Sequence, residues 1–158
     1  MPILETRTQH WPDEAACAAS ATSIAAHAGL ATAFIELHGP LGAGKTTFVR
    51  HLLHALGVEG RVKSPTYAVL EPYSLLRAGA PLEVSHFDFY RFDDPQEWED
   101  AGFRDVFAAP GLKLAEWPEK AGGLLPVADL QIHIEPLEGD ARRARFDALT
   151  PLGAALLK

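Results

Sequence analysis

Eight residues constrain this chain more than any others: Gly39-Pro-Leu-Gly-Ala-Gly-Lys-Thr46 satisfies the pattern G-x-x-x-x-G-K-[ST]. The flanks agree with it. Thr32–Leu37 is mostly apolar and reads as a buried strand. Between Lys45 and Leu56 the apolar residues Phe48, Val49, Leu52, Leu53 and Leu56 share one helical face, with Arg50, His51 and His54 in the gaps and Gly57 as a stop. A glycine-rich loop between a strand and a helix can wrap consecutive amides around phosphates at the positive end of that helix. Lys45 then reaches the β- and γ-phosphates, and the Thr46 hydroxyl meets Mg²⁺. Glycine makes up roughly 7% of residues, so a chance match in a chain this long is on the order of one in a few hundred. The expected ligand is Mg-ATP, held by Gly39, Gly42, Ala43, Gly44, Lys45, Thr46 and Thr47.

The rest of the chain predicts an α/β fold: a P-loop NTPase-like, mostly parallel central sheet flanked by helices, with antiparallel strands added. Pro12–Ala28 reads as a first helix, with Asp13 as its cap and Gly29 as its stop. Strands are expected at Tyr67–Glu71, Leu82–Phe89, Leu112–Ala115, Leu130–Ile134 and Arg143–Leu149, and a short helix at Pro95–Gly102 behind Asp94. With 158 residues and neither a repeat nor a linker, the whole chain is expected to be one domain.

Such a loop needs acids at the carboxyl ends of strands to hold Mg²⁺ and arrange an attacking water. Asp88, in His86-Phe-Asp-Phe-Tyr-Arg91, and Glu116, in Leu112-Lys-Leu-Ala-Glu-Trp-Pro118, both fit, directly or through water. A solvated acid at a strand end is the competing reading for each. Glu116 is the sharper candidate because the apolar strand stops there. Thr66, in Val62-Lys-Ser-Pro-Thr-Tyr67, is the candidate γ-phosphate sensor, although Ser64-Pro65 alone reads as a turn. His86 and Asp88 could ligate a transition metal, but beside this loop Mg²⁺ suits Asp88 better. His51 and His54 read as solvated, as do Arg143 and Arg145, which share one strand face.

Acids outnumber bases by 21 to 14, for a net charge of −7, which argues against extensive contact with nucleic acid. No apolar run approaches the roughly 18 residues of a membrane span. The alanine-rich Ala15–Ala28 follows Asp13 and Glu14 and lacks a signal peptide's positive start. The single cysteine, Cys17, fits a reducing compartment, so the cytoplasm is expected.

Four strings in order, Leu41-Gly-Ala-Gly-Lys-Thr-Thr-Phe48, Ser64-Pro-Thr-Tyr67, His86–Arg91 and Glu116-Trp-Pro118, resemble the TsaE (YjeE) family pattern over nearly the whole chain. That resemblance implies an ATPase of low intrinsic activity, monomeric or weakly associating, that acts through the TsaB–TsaD pair. There TsaD transfers a threonylcarbamoyl group to adenosine 37 of tRNAs reading codons that begin with A. By position, Thr46 and Glu116 would hold Mg²⁺, Asp88 would support metal or water, Thr66 would belong to a switch-like segment, and Trp117 would lie near the nucleotide or partner. Pro40 stands where the family usually has Asp or Glu.

The runner-up is a P-loop small-molecule kinase, but its lid would need arginines outside a strand. A GTPase would need an Asn-Lys-x-Asp reader, and the chain has no asparagine.

Overall fold

In the computed structural model, which describes residues 2–60, 62, 69–92 and 94–158, helix α2 covers Lys45–Leu56, the range its apolar spacing predicts. Phe48, Val49, Leu52, Leu53 and Leu56 are all buried, and Gly57 ends the helix at φ 108°. Helix α1 (Glu14–Ala25) starts where expected, since the Asp13 carboxylate accepts from the Ala16 N–H at 3.1 Å. It stops sooner than its alanines suggest. The His27 ring accepts from the Gly29 N–H and opens a separate 3-10 segment at Ala28–Thr32, so Gly29 lies inside this turn instead of stopping the helix.

The strands are β1 (Glu5–Trp11), β2 (Phe34–His38), β3 (Leu70–Arg77), β4 (Ala80–Asp88), β5 (Leu112–Glu116), β6 (Leu130–Pro136) and β7 (Arg142–Ala148). They form one sheet in the order β1-β7-β6-β2-β5-β4-β3. The central four, β6-β2-β5-β4, run parallel, and β7, β1 and β3 are added antiparallel at the two sides. The mixed α/β sheet with a parallel centre is therefore as expected.

β1 was not expected. Its sequence is polar on both faces because it is an exposed edge strand paired only to β7. β3 reaches well beyond Glu71, into a hairpin with β4 that turns at Ala78-Gly79. Helix α3 (Pro95–Ala101) has Asp94 as its cap, as predicted, while α4 (Phe103–Ala108) and α5 (Pro151–Leu156) are additions. Thr66 and Tyr67 lie outside the described residues.

The alternation of each strand divides the core into two layers. Ile35, Leu37, Leu114, Ile132, Ile134 and Phe146 pack on the side occupied by α1 and α2. Phe34, Phe87, Phe89 and Ala115 face the other way, against Trp98, Phe103 and Ala121. The second layer is mainly aromatic: Phe87 and Phe107 stack at 4.7 Å, and Phe87 meets Phe103 edge-on at 5.4 Å. Towards β1 the same face turns polar, with Glu36, His38, Gln131, His133, Arg145 and Asp147 on it. No helix among the described residues is long and apolar enough to cross a membrane.

Candidate functional site

Strand order fixes where a site can open. The chain adds β5 and β4 on one side of β2, then returns to place β6 on the other. Loops at the carboxyl end of β2 diverge there, leaving a crevice of the kind in which ligands sit on open α/β sheets. The loop Gly39–Gly44 occupies this end and leads directly into α2.

Two glycines are required by geometry. A Cβ on Gly39 would lie 2.5 Å from the Ile134 carbonyl oxygen, so only glycine lets the loop leave β2 so close to β6. Gly44 caps α2 at φ 110°, a conformation that L side chains rarely adopt. It presents the first α2 amides outward, where they favour an anion. From the other side, the Arg142 guanidinium donates to the Ala43 carbonyl at 2.9 Å and pins the loop. Sequence reading had no signal for this role, because it depends on the start of β7 lying behind a loop 99 residues away. Arg142, Ala43, Gly44 and Thr47 also line a cavity of about 330 Å³ with Trp11 and Asp13.

Lys45 is buried, and its ammonium donates to the carbonyls of Gly39, at 2.5 Å, and Pro40, at 3.0 Å. It also lies 4.1 Å from the centre of the Trp117 ring. Burial pushes its pKa below the ordinary lysine value, and the carboxylates of Glu116, Glu119 and Asp88 oppose that shift. Trp117 reaches this position from a left-handed backbone at φ 55°, unusual for a bulky residue. Its ring also meets Tyr90 at 4.9 Å.

The structure brings Thr46 and Glu116 together. The Thr46 hydroxyl donates to Glu116 Oε1 at 2.7 Å, although the two are 70 residues apart. Val84, His86 and Asp88 alternate on the same sheet face as Leu112, Leu114 and Glu116, and Asp88 is the register partner of Glu116. Asp88 accepts from the Tyr90 N–H at 3.0 Å. His86 does not join Asp88 around a metal; it bonds Glu116 Oε2 at 2.6 Å. Among the described residues no group of three His, Cys, Asp or Glu could hold a metal ion unaided. A hydroxyl and a carboxylate at one point are nevertheless the hard oxygen donors that suit Mg²⁺, which binds one or two carboxylates and completes its shell with phosphate and water.

One histidine expectation needs correction. His51 is not solvated, since its ring is three-quarters covered and lies 3.8 Å from Glu14. His54 is exposed, as expected, and its ring also bonds the Gly60 carbonyl at 2.9 Å.

Comparison with known proteins identifies the family. The family model described as threonylcarbamoyl adenosine biosynthesis protein TsaE matches residues 11–144. The tRNA threonylcarbamoyladenosine biosynthesis protein TsaE of Haemophilus influenzae is 43% identical over 78% of this chain and 75% of its own length. The protein of that name from Bacillus subtilis is 35% identical over 94% of this chain and 88% of its own. The crystal structure of Bacillus subtilis YdiB superposes with a TM-score of 0.80 at 26% identity, covering 99% of this chain and 95% of that one. A loop of this sequence, the acid that meets its threonine and a match over most of the chain coincide: the protein belongs to the TsaE family of threonylcarbamoyl adenosine biosynthesis proteins.

Proposed function

We propose that this chain is a slow, partner-regulated ATPase with a P-loop NTPase-like fold, serving threonylcarbamoyladenosine formation at position 37 of tRNA. The observation that carries the reading is the Thr46–Glu116 hydrogen bond at 2.7 Å beside the buried Lys45 amine. In it the triphosphate lies along the Gly39–Thr47 backbone, and Lys45 trades its loop carbonyls and the Trp117 face for β- and γ-phosphate oxygens. Thr46 and Glu116, with Asp88 directly or through water, would hold Mg²⁺. When bound, that ion would neutralise charge on the phosphates.

Hydrolysis joins a water oxygen to the γ-phosphorus and breaks its bond to the bridging oxygen, releasing ADP and phosphate. Asp88 orients the water, whose proton passes to phosphate or solvent. The cavity beside Trp11, Asp13 and Thr47 is large enough for the nucleoside end. Thr66, as the γ-phosphate sensor, would link this site to partners.

The reading places the protein in the cytoplasm, monomeric when alone, and acting through TsaB–TsaD without extensive contact with tRNA, in keeping with its acidic charge. The kinase alternative gains nothing from the arginines of β7. Arg142 is committed to the loop, and Arg143 and Arg145 pair with Glu135 and Asp147. The test is ATP hydrolysis by the purified chain, alone and with TsaB–TsaD, beside Lys45→Ala. Stimulation by the pair that disappears in the variant supports the reading. Binding of ATP without any effect of the pair would refute partner regulation.

A further inference from the structure

His86 is completely buried against the Glu116 carboxylate, and neither the phosphate loop nor the expected metal donors account for it. On β4 it is the register partner of Leu114, so its side chain reaches Glu116 diagonally across the β4–β5 pair. The contact is short: His86 Nε2 to Glu116 Oε2 at 2.6 Å. The other carboxylate oxygen, Oε1, accepts from Thr46. An ionised carboxylate only accepts, so both neighbours donate, and the histidine proton on Nε2 is the arrangement that fits. Its Nδ1 finds no partner among the described residues, and a bare nitrogen there loses less than an unpaired N–H would.

Together the two donors fix the carboxylate plane. Without His86, Oε2 would be a buried, unpartnered anionic oxygen, and the group would be free to turn away from Thr46. Hydrogen-bond donors behind a ligating carboxylate hold it towards its ion. We propose that His86 is a positioning residue: its Nε2–H orients Glu116 so that Oε1 and the Thr46 hydroxyl meet a divalent cation together. This rests on the Mg-ATP reading above.

The test compares ATP affinity in excess Mg²⁺ with affinity in EDTA, using the purified full chain and the variants His86→Gln, His86→Asn and His86→Leu, with thermal unfolding checked in parallel. Glutamine places an amide N–H near the Nε2 position, asparagine is too short, and leucine has no donor. The advantage conferred by Mg²⁺ should fall about tenfold or more in the Asn and Leu variants, while affinity in EDTA stays within about twofold; Gln should keep most of it. If Leu fails to fold, the contrast between Gln and Asn carries the test. The proposal is overturned if folded Asn keeps the full advantage, if Gln loses as much as Asn, or if EDTA affinity falls in step. Failure of the wild type to bind ATP, or undiminished binding by Lys45→Ala, would overturn the Mg-ATP reading itself and this proposal with it.

Discussion

Glu116 combines a strand end, a buried carboxylate and two donors within 2.7 Å. Removing it leaves the amides and Lys45 in place, so Glu116→Ala should affect metal-dependent turnover more than nucleotide capture. Hydrolysis in Mg²⁺ is expected to drop at least about tenfold, with ATP affinity in EDTA changed by about twofold or less. Normal turnover in the variant would remove the assignment. At this scale the sequence is most readable where chemistry dictates identity. Lys45, Thr46 and Glu116 stand out because a loop pattern and an interrupted apolar strand mark them. Arg142 does not, and His86 stands out only as a possible metal ligand, since each acts on a partner that only the folded sheet brings near.

Elements are held together by a few polar staples as well as by the two apolar layers. Asp129 is the clearest: one carboxylate oxygen accepts from the Phe34 N–H at the start of β2, and the other from the Thr150 hydroxyl, which caps α5 through Gly153. Asp129→Ala should therefore cost about 2–4 kcal/mol, read as a lower midpoint in chemical unfolding.

A second device joins β2 to β6, where the His38 and His133 rings stack at 4.6 Å. Burial, then the neighbouring His38 and Arg145, lower the His133 pKa from 6.5, against the pull of Asp147 and Glu36. Below 6.5 the unfolded chain binds this proton more readily than the folded one, so the His133 contribution is intact above that pH and is lost as pH falls. His133→Gln should flatten the acid side of the stability profile, and an unchanged profile would contradict this. α2, β5 and the parallel core were legible because burial on one or both faces leaves a strong apolar pattern. β1 and most of β3 were not, because a half-exposed strand at a sheet's edge carries little such pattern; α4 has no capping side chain, and α5, although Thr150-Pro151 is a start signal, is only six residues long.

For the whole molecule, the parallel centre of the sheet matters because it directs β2, β4 and β5 to one end, where Gly39–Thr46, Asp88 and Glu116 meet. The proposed function and the role of His86 both depend on ATP occupying that place. Titration of the purified chain with ATP in excess Mg²⁺, beside Lys45→Ala, tests it most directly. The account predicts saturable binding by the wild type and a loss of about tenfold or more in the variant, as expected when a buried ammonium–phosphate contact is removed. Absence of binding at millimolar ATP, or equal affinity in the two proteins, would contradict it.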